Sequence, residues 1–466
     1  MSTVVTLVIV FATLAFGAVY PWAYLPALAA AACIGIAGLV RSRGVPAETR
    51  HIFIALLVVA LAIGVQLVPL PRHVAALLSP KSADILSRYS LTFAGASANH
   101  PLSINPSATL TALMGLTALG LYLAGLPALL SRTDLRALPR NVMLFAIPLA
   151  LFGMYTRQHN NGLVYGFWHT QEHDYSNGFG PFINRNHFAG WMLMATSLAI
   201  GALCGRIESA FDGVQPGWRQ RLGWLSSSSA NRIVLIAMAV LVMAVSLVWT
   251  VSRSGILSFA GAMLCFVWLL AHRRRVSGAI RVGVTFLLGA VLLASASWRG
   301  VGHLERWFAD TTDLESRLAV WHDGWRLVRD FPITGTGINT YQDAMLFYQR
   351  QLVEVWMTHA HNDYLELLAE GGLLVAVPAL VAVAVLAAAI VKSLNAARDN
   401  AYDYWVRAGA TVGLIAIGIQ ETVEFSLHIP ANSLLFATLA AVALSPISRR
   451  RFHPSTAPPA GTAPIV

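Results

Sequence analysis

The sequence predicts an all-α, polytopic membrane protein with about twelve transmembrane helices. Three observations carry that expectation. Of 466 residues, 56% are hydrophobic and only 12% are charged, where a soluble globular chain carries about 25% charged residues. Apolar runs close to the roughly 20 residues that a spanning helix needs recur along the whole chain. Basic residues collect in every second connection between those runs. A mean hydropathy of +0.62 points the same way. A single soluble domain, a disordered chain and a disulfide scaffold are all excluded, and the whole of 1–466 reads as one integral membrane domain.

The expected spans are 3–20, 22–40, 52–70, 108–130, 141–156, 188–205, 233–250, 255–271, 281–297, 371–391, 407–420 and 430–446. The first lacks a basic leader and a small-residue cleavage site, so it reads as a retained span and not a signal peptide. The fifth, eleventh and twelfth are short or interrupted. Cys33, Cys204 and Cys265 each sit in a separate apolar run without CxxC spacing; buried thiols are the expectation.

Orientation follows from charge. With both termini cytoplasmic, the inside segments carry 20 of the 32 basic residues and 6 of the 22 acidic ones. The outside keeps 12 basic and 16 acidic residues, a split of +14 against −4. The positive-inside rule therefore explains the net charge of +10, and no nucleic-acid partner is needed. Inside loops are short, and a basic tail, 449–466, is cytoplasmic. Three outside segments are long: 71–107, 157–187 and 298–370. With the short outside turns they hold 11 of the 14 histidines. Long loops without a connecting task are usually functional, so the working face is expected on the outside.

The segment 156–190 mixes Gly, Asn, His and aromatics and ends in Asn184-Arg185-Asn186-His187 just before a span. A helix N-terminus with an arginine suits an anion such as phosphate; equally, Arg185 snorkels to the interface while the asparagines cap the helix. Arg253 stands in the tight outer turn Thr250-Val-Ser-Arg-Ser-Gly255, either as an interfacial anchor or as a ligand. In the largest outer segment, Thr312-x-x-Glu315 fits a capping box opening a helix to Asp330, where Phe331-Pro332 stops it. Arg317, Trp321, Gly324, Trp325 and Val328 share one face of that helix. Tryptophans packed on the membrane surface account for the aromatics but not for Arg317. Gly335-x-Gly337 lacks the rest of a phosphate-binding loop and reads as a turn. Thr340-x-x-Asp343 opens a further helix toward Trp356.

The densest polar cluster is Thr358-His-Ala-His361-Asn362-Asp363-Tyr364-Leu-Glu366, with Gly371-Gly372 breaking the helix before the tenth span. A neutral imidazole is the commonest general base near pH 7, and Asp363 or Glu366 is positioned to orient His361. Zinc is the other reading of two histidines beside carboxylates. However, His359 and His361 diverge at a spacing of two, and no HExxH is present. No metal and no cofactor are expected. Glu421, Glu424 and His428, at the outer end of the eleventh span, read as supporting groups.

These residues resemble the O-antigen ligase and O-antigen polymerase superfamily of bacterial polysaccharide assembly. Phe-Ile-Asn-Arg-Asn-His-Phe-Ala-Gly (182–190) is similar to the sixth-span entry of part of the family. Thr-Val-Ser-Arg-Ser-Gly (250–255) resembles its arginine turn after the seventh span. Residues 315–337 with 359–372 resemble its periplasmic helices between spans nine and ten. The resemblance implies a glycosyltransferase at the outer face of the bacterial inner membrane. It implies that His361 is the base activating an acceptor hydroxyl, and that Arg253 and Arg317 hold the diphosphate of an undecaprenyl-linked glycan donor. Arg185 is a third cationic contact, with His359, Asn362, Asp363, Asn186, His187 and Trp321 in support. Trp321 departs from the pattern, which commonly has leucine four residues after the second arginine. The implied acceptor is lipid A-core for a ligase or a lipid-linked repeat unit for a polymerase, with membrane lipids as surroundings. A twelve-span transporter or flippase is the reading of another class, but the charges lie at helix ends and no six-plus-six repeat is present.

Overall fold

The computed structural model describes residues 1–89, 99–130, 132–159, 163–169, 178–211, 228–273, 312–352 and 356–445. The helices are α1 (Ser2–Leu14), α2 (Pro21–Arg41), α3 (Arg50–Gln66), α4 (Arg72–Leu78), α5 (Pro80–Tyr89), α6 (Pro106–Leu129), α7 (Arg132–His159) and α8 (Arg185–Phe211). They continue with α9 (Ser228–Trp249), α10 (Arg253–His272), α11 (Thr312–Asp330), α12 (Tyr341–Tyr348), α13 (Asp363–Ala396), α14 (Ala401–Gln420) and α15 (Pro430–Leu444). Among the described residues there is no strand, only isolated bridges such as Phe179 with Phe182. The fold is all-α and polytopic. Seven of its helices, α2, α6, α7, α8, α9, α10 and α13, are long and apolar enough to cross a membrane.

Eleven of the twelve expected runs fall on described helices. The ninth, 281–297, lies outside the described residues, as do the whole of the tail 449–466 and parts of the three long outer segments. The first run is shorter than expected. Its helix ends at Leu14, and the chain turns through Phe16–Ala18 around Gly17 at φ 71°. Thirteen residues rise about 20 Å, short of a hydrocarbon core of roughly 30 Å. The fifth run is longer, because α7 continues through the polar stretch 132–140, which hydropathy alone does not reveal. The eleventh, expected as 407–420, is longer too, because its helix begins at Ala401, before Arg407. That guanidinium is buried and donates to Ser393 Oγ (2.8 Å) and the Ser445 carbonyl (2.7 Å), so the helix runs through it unbroken.

Helix α8 is the axis of the bundle, buried along its whole apolar length. It packs most extensively on α14, and the two approach at glycines. A Cβ added to Gly201 would lie 2.7 Å from Gly409 Cα, so neither position accepts a side chain without parting the helices. At the end of the bundle where α8 begins, α11 and α12 form a small layer on the start of α13. Leu327, Phe331, Tyr341, Met345, Ala360 and Ala369 are its core.

The turn 331–340 docks on the break in α13. Gly372 adopts φ 55°, and a Cβ on Gly335 (φ 63°) would stand 2.0 Å from the Glu370 carbonyl. Gln66 Nε2 braces the junction by donating to the carbonyls of Thr334 and Glu370 (2.7 and 2.9 Å). The helix expected from Thr340 to Trp356 stops at Tyr348, and its cap is not the expected one. Glu370 accepts from the Asn339 and Tyr341 amides (2.8 and 2.7 Å), while Asp343 accepts from Asn105 Nδ2 (2.9 Å). A carboxyl group from another helix supplies the acceptors that the open amides of this N-terminus need.

Candidate active site

Four elements end together beside the connection between α14 and α15. Helix α8 begins just after Asn184, whose side chain accepts from the Asn186 amide (2.8 Å). Phe188, one turn into α8, packs on Phe179 and Phe182 (ring centroids 4.5 and 5.9 Å apart), which fixes that helix end. Helix α10 begins at Arg253, capped by Ser252, whose hydroxyl accepts from the Gly255 amide (3.1 Å). Helix α11 brings Arg317 one turn into its length. Helix α13 is capped by Asn362, which accepts from the amides of Tyr364 and Leu365 (3.1 and 3.0 Å). His361, just before that cap, takes a left-handed backbone at φ 49°, a conformation in which histidine is enriched among non-glycine residues.

The group these elements share is Glu424, which is fully buried. Its Oε1 accepts from Arg317 Nη2 (2.6 Å) and Asn186 Nδ2 (2.7 Å), with Ser254 Oγ at 3.4 Å. Its Oε2 faces His361 Nδ1 at 3.8 Å, within Coulombic reach but longer than a hydrogen bond. Burial alone would raise this carboxyl. His361 and the Arg317 guanidinium outweigh it and hold Glu424 below the usual carboxylate range. A buried anion is tolerated because it is paired and hydrogen-bonded.

A second set gathers around the Phe425 ring. His359 stacks on that ring (4.0 Å, 16°), while His361 meets it edge-on (5.0 Å, 76°) and His187 likewise (4.7 Å, 77°). His359 Nδ1 pairs with Glu366 Oε1 at 2.9 Å, and Glu366 Oε2 accepts from the Ala360 amide (2.7 Å). His428 stands 3.4 Å from Asp363 and 3.7 Å from Glu366. Glu421 is also buried, and its carboxyl is raised well above the usual range, first by burial and then by the neighbouring Asp363 carboxylate.

The expected site residues are thus distributed as follows. His361, Arg317 and Asn186 meet at Glu424. Arg253 and Arg185 are the first residues of α10 and α8, next in the chain to Ser254 and Asn186, both of which face Glu424. Trp321 donates to the Ala360 carbonyl (2.9 Å), tying α11 to the histidine loop, whereas Trp325 on the same helix is exposed. The carboxylate facing His361 is not Asp363 or Glu366, as the sequence suggested. It is Glu424, whose Oε2 lies 3.8 Å from His361 Nδ1. Sequence reasoning ranked Glu424 only as a supporting group; its signal was a rare acidic residue beside Phe425, and its full burial was not legible.

Among the described residues, the groups able to hold a metal ion are His359, Glu366 and His428, whose ligand atoms lie within 4.8 Å of one another. His361 is not among them. A cation there would compete with the direct His359–Glu366 bond.

The fold and site define a membrane-embedded protein with a histidine and an arginine on one buried carboxylate at a convergence of helix ends. Residues 238–380 match the family model described as O-antigen ligase, and the match supports the O-antigen ligase and polymerase superfamily. That segment is less than half of the chain. It contains Arg253, Arg317 and His361, but not Asn186 or Glu424. No curated protein matches the chain.

Proposed function

We propose that the protein transfers a glycan from an undecaprenyl-diphosphate carrier to an acceptor hydroxyl, as an O-antigen ligase does, with its site on the periplasmic side of the bacterial inner membrane. The observation that carries this reading is the sharing of Glu424 by Arg317 and His361, two residues within the family-matched segment. Glu424 engages one donor of the Arg317 fork, leaving others for phosphate oxygens. It also faces His361 Nδ1, which favours the tautomer with its proton on Nδ1 and leaves Nε2 as the base.

In the proposed reaction the acceptor hydroxyl gives its proton to His361 Nε2 as its oxygen bonds to C1 of the donor sugar. The C1–O bond to the diphosphate breaks, and its electron pair leaves with undecaprenyl diphosphate. Arg317, Arg253 and Arg185 stabilise the charge that develops there. In-line attack inverts the anomeric centre, which NMR of the product checks. Asp363 and Glu366 act through the neighbouring histidines and not on the reacting atoms.

A polymerase uses the same steps with a lipid-linked glycan as acceptor, and the resemblance of 182–190 to family members often linked to exopolysaccharide systems keeps that reading close behind. The deciding experiment supplies purified protein in lipid with undecaprenyl-diphosphate-linked repeat units and nothing else. A His361-dependent ladder of products establishes a polymerase. No ladder, followed by one-step transfer when lipid A-core is added, establishes a ligase. No transfer to either acceptor, from donor shown to be intact, overturns the proposal.

A further inference from the structure

The end of the bundle opposite Glu424 carries a pocket of its own. Along α8, Arg206 lies about 30 Å from Asn186. There Arg136 of α7, Arg206 and Ser209 of α8, Arg232 and Ile233 of α9 and Tyr402 of α14 line a cavity of about 310 Å³. The Arg136 and Arg206 guanidiniums stand 5.8 and 5.7 Å from the Tyr402 ring centroid, within cation–π range.

Three arginines therefore converge on one cavity, and among the described residues no carboxylate lines it. The acidic residues on the same helices are engaged elsewhere or buried. Asp134 pairs with the amino group of Met1 (3.3 Å). Glu208 is held by Arg273 (2.7 Å) and by the Trp405 indole (2.5 Å). Asp403 is only 6% exposed. Like charges gathered with no carboxylate among the described lining residues favour an anion, and the guanidinium fork matches phosphate oxygens.

The surroundings indicate which kind of anion. Helix α9 carries Leu235 and Met238, three and six residues after Arg232, and both are exposed (69% and 53%). They form an apolar strip leading away from the pocket on a helix apolar enough to span. A soluble anion has no use for that strip, whereas a lipid with a charged head uses both parts. Basic pockets between membrane helices are known sites for anionic headgroups. We propose that this pocket binds the headgroup phosphate of an anionic glycerophospholipid, with an acyl chain along Leu235 and Met238.

The test is native mass spectrometry of the delipidated full-length protein, titrated with phosphatidylglycerol, cardiolipin, phosphatidylcholine or inorganic phosphate. Wild type should retain the anionic lipids over phosphatidylcholine. Arg136→Gln and Arg232→Gln, both at exposed positions, should each weaken retention about fivefold, and the triple variant with Arg206→Gln should abolish the preference. Arg398→Gln, a basic residue outside the pocket, should leave it unchanged. Equal retention by wild type and the single variants overturns the proposal, as does phosphatidylcholine binding as tightly as phosphatidylglycerol. Inorganic phosphate competing at the affinity of the lipid also overturns it, in favour of a soluble anion. The single variants keep the test decisive if the triple variant does not fold.

Discussion

Two histidine–carboxylate pairs flank Phe425, and they differ in what else the carboxylate holds. Glu366 is bonded at 2.9 Å to His359 and accepts the Ala360 amide, so its ligands are a stacked ring and the backbone of the same loop. Glu424 faces His361 at 3.8 Å and gives its short bonds to Arg317 and Asn186, from two other helices. The first pair locks a loop in place. The second joins three helix ends and leaves its histidine only loosely engaged, which suits a group that must take up and release a proton. Apo geometry of that kind is common at sites that tighten on substrate binding.

The comparison predicts opposite consequences for the two histidines. His361→Ala should lower glycan transfer by about 10²–10⁴-fold, the range for loss of a general base, with little change in thermal unfolding. His359→Phe keeps the ring on Phe425 but removes a partner of buried Glu366, which should cost about 1–3 kcal/mol of stability. Its transfer rate per folded molecule should stay within about tenfold of wild type. Rates measured beside melting curves decide between them. If His359→Phe is the variant that abolishes transfer in folded protein, the roles assigned here are reversed.

The next effect tests the arginine on Glu424. Arg317→Lys keeps a charge but loses the planar fork, and should lower transfer by about 10²–10³-fold, as for loss of a donor at developing charge. Arg317→Ala is less informative, since it leaves Glu424 buried and unpaired at a cost of about 3–5 kcal/mol. Single-turnover rates with lipid-linked donor measure the difference. Wild-type rates in Arg317→Lys would remove the diphosphate contact from the mechanism.

Much of this arrangement was legible in the chain. Runs of apolar residues located most of the apolar helices because a bilayer demands continuous hydrophobicity, and Gly371-Gly372 marked the break in α13 because Gly372 needs a left-handed backbone. His361 and Arg317 stood out as polar residues at helix ends. Glu424 did not, since sequence gives no measure of burial. A carboxylate at the end of an apolar helix reads as solvated until α8, α10 and α11 are placed around it. The break in the first span was hidden for a similar reason. Gly17 lies in the middle of an apolar stretch, and only its packing against Ile429 and Phe182 shows why the helix ends there.

Chelation sharpens the comparison from the other side. His359, Glu366 and His428 are close enough to hold a cation, while the proposed chemistry at Glu424 has no step that needs one. Transfer assayed after exhaustive dialysis against a strong chelator should remain within about twofold of the untreated rate. A loss restored by one divalent metal would shift the chemistry to Glu366 and its histidines, and metal analysis of His428→Ala would then locate the ion.

The smallest effect concerns two carboxylates three residues apart whose titrations run in opposite directions. Glu424 is held below the usual range, so its contribution to stability is present above the unfolded pKa and is lost as pH falls through the folded one. Glu421 is raised well above its ordinary 4.5 by burial and by Asp363. Between those values the unfolded chain gives up its proton while the folded chain keeps it. Stability from Glu421 therefore declines as pH rises from about 4.5 through the folded value. Glutamine does not titrate, so Glu421→Gln should melt a few degrees higher than wild type near neutral pH and match it in acid. Glu424→Gln should melt lower near neutral pH and approach wild type in acid. Melting curves of the two variants in lipid nanodiscs between about pH 4 and pH 8 would place the buried anion at Glu424 and the protonated carboxyl at Glu421. Parallel curves for the two would mean that they share one environment, and that Arg317 is not what keeps Glu424 ionised.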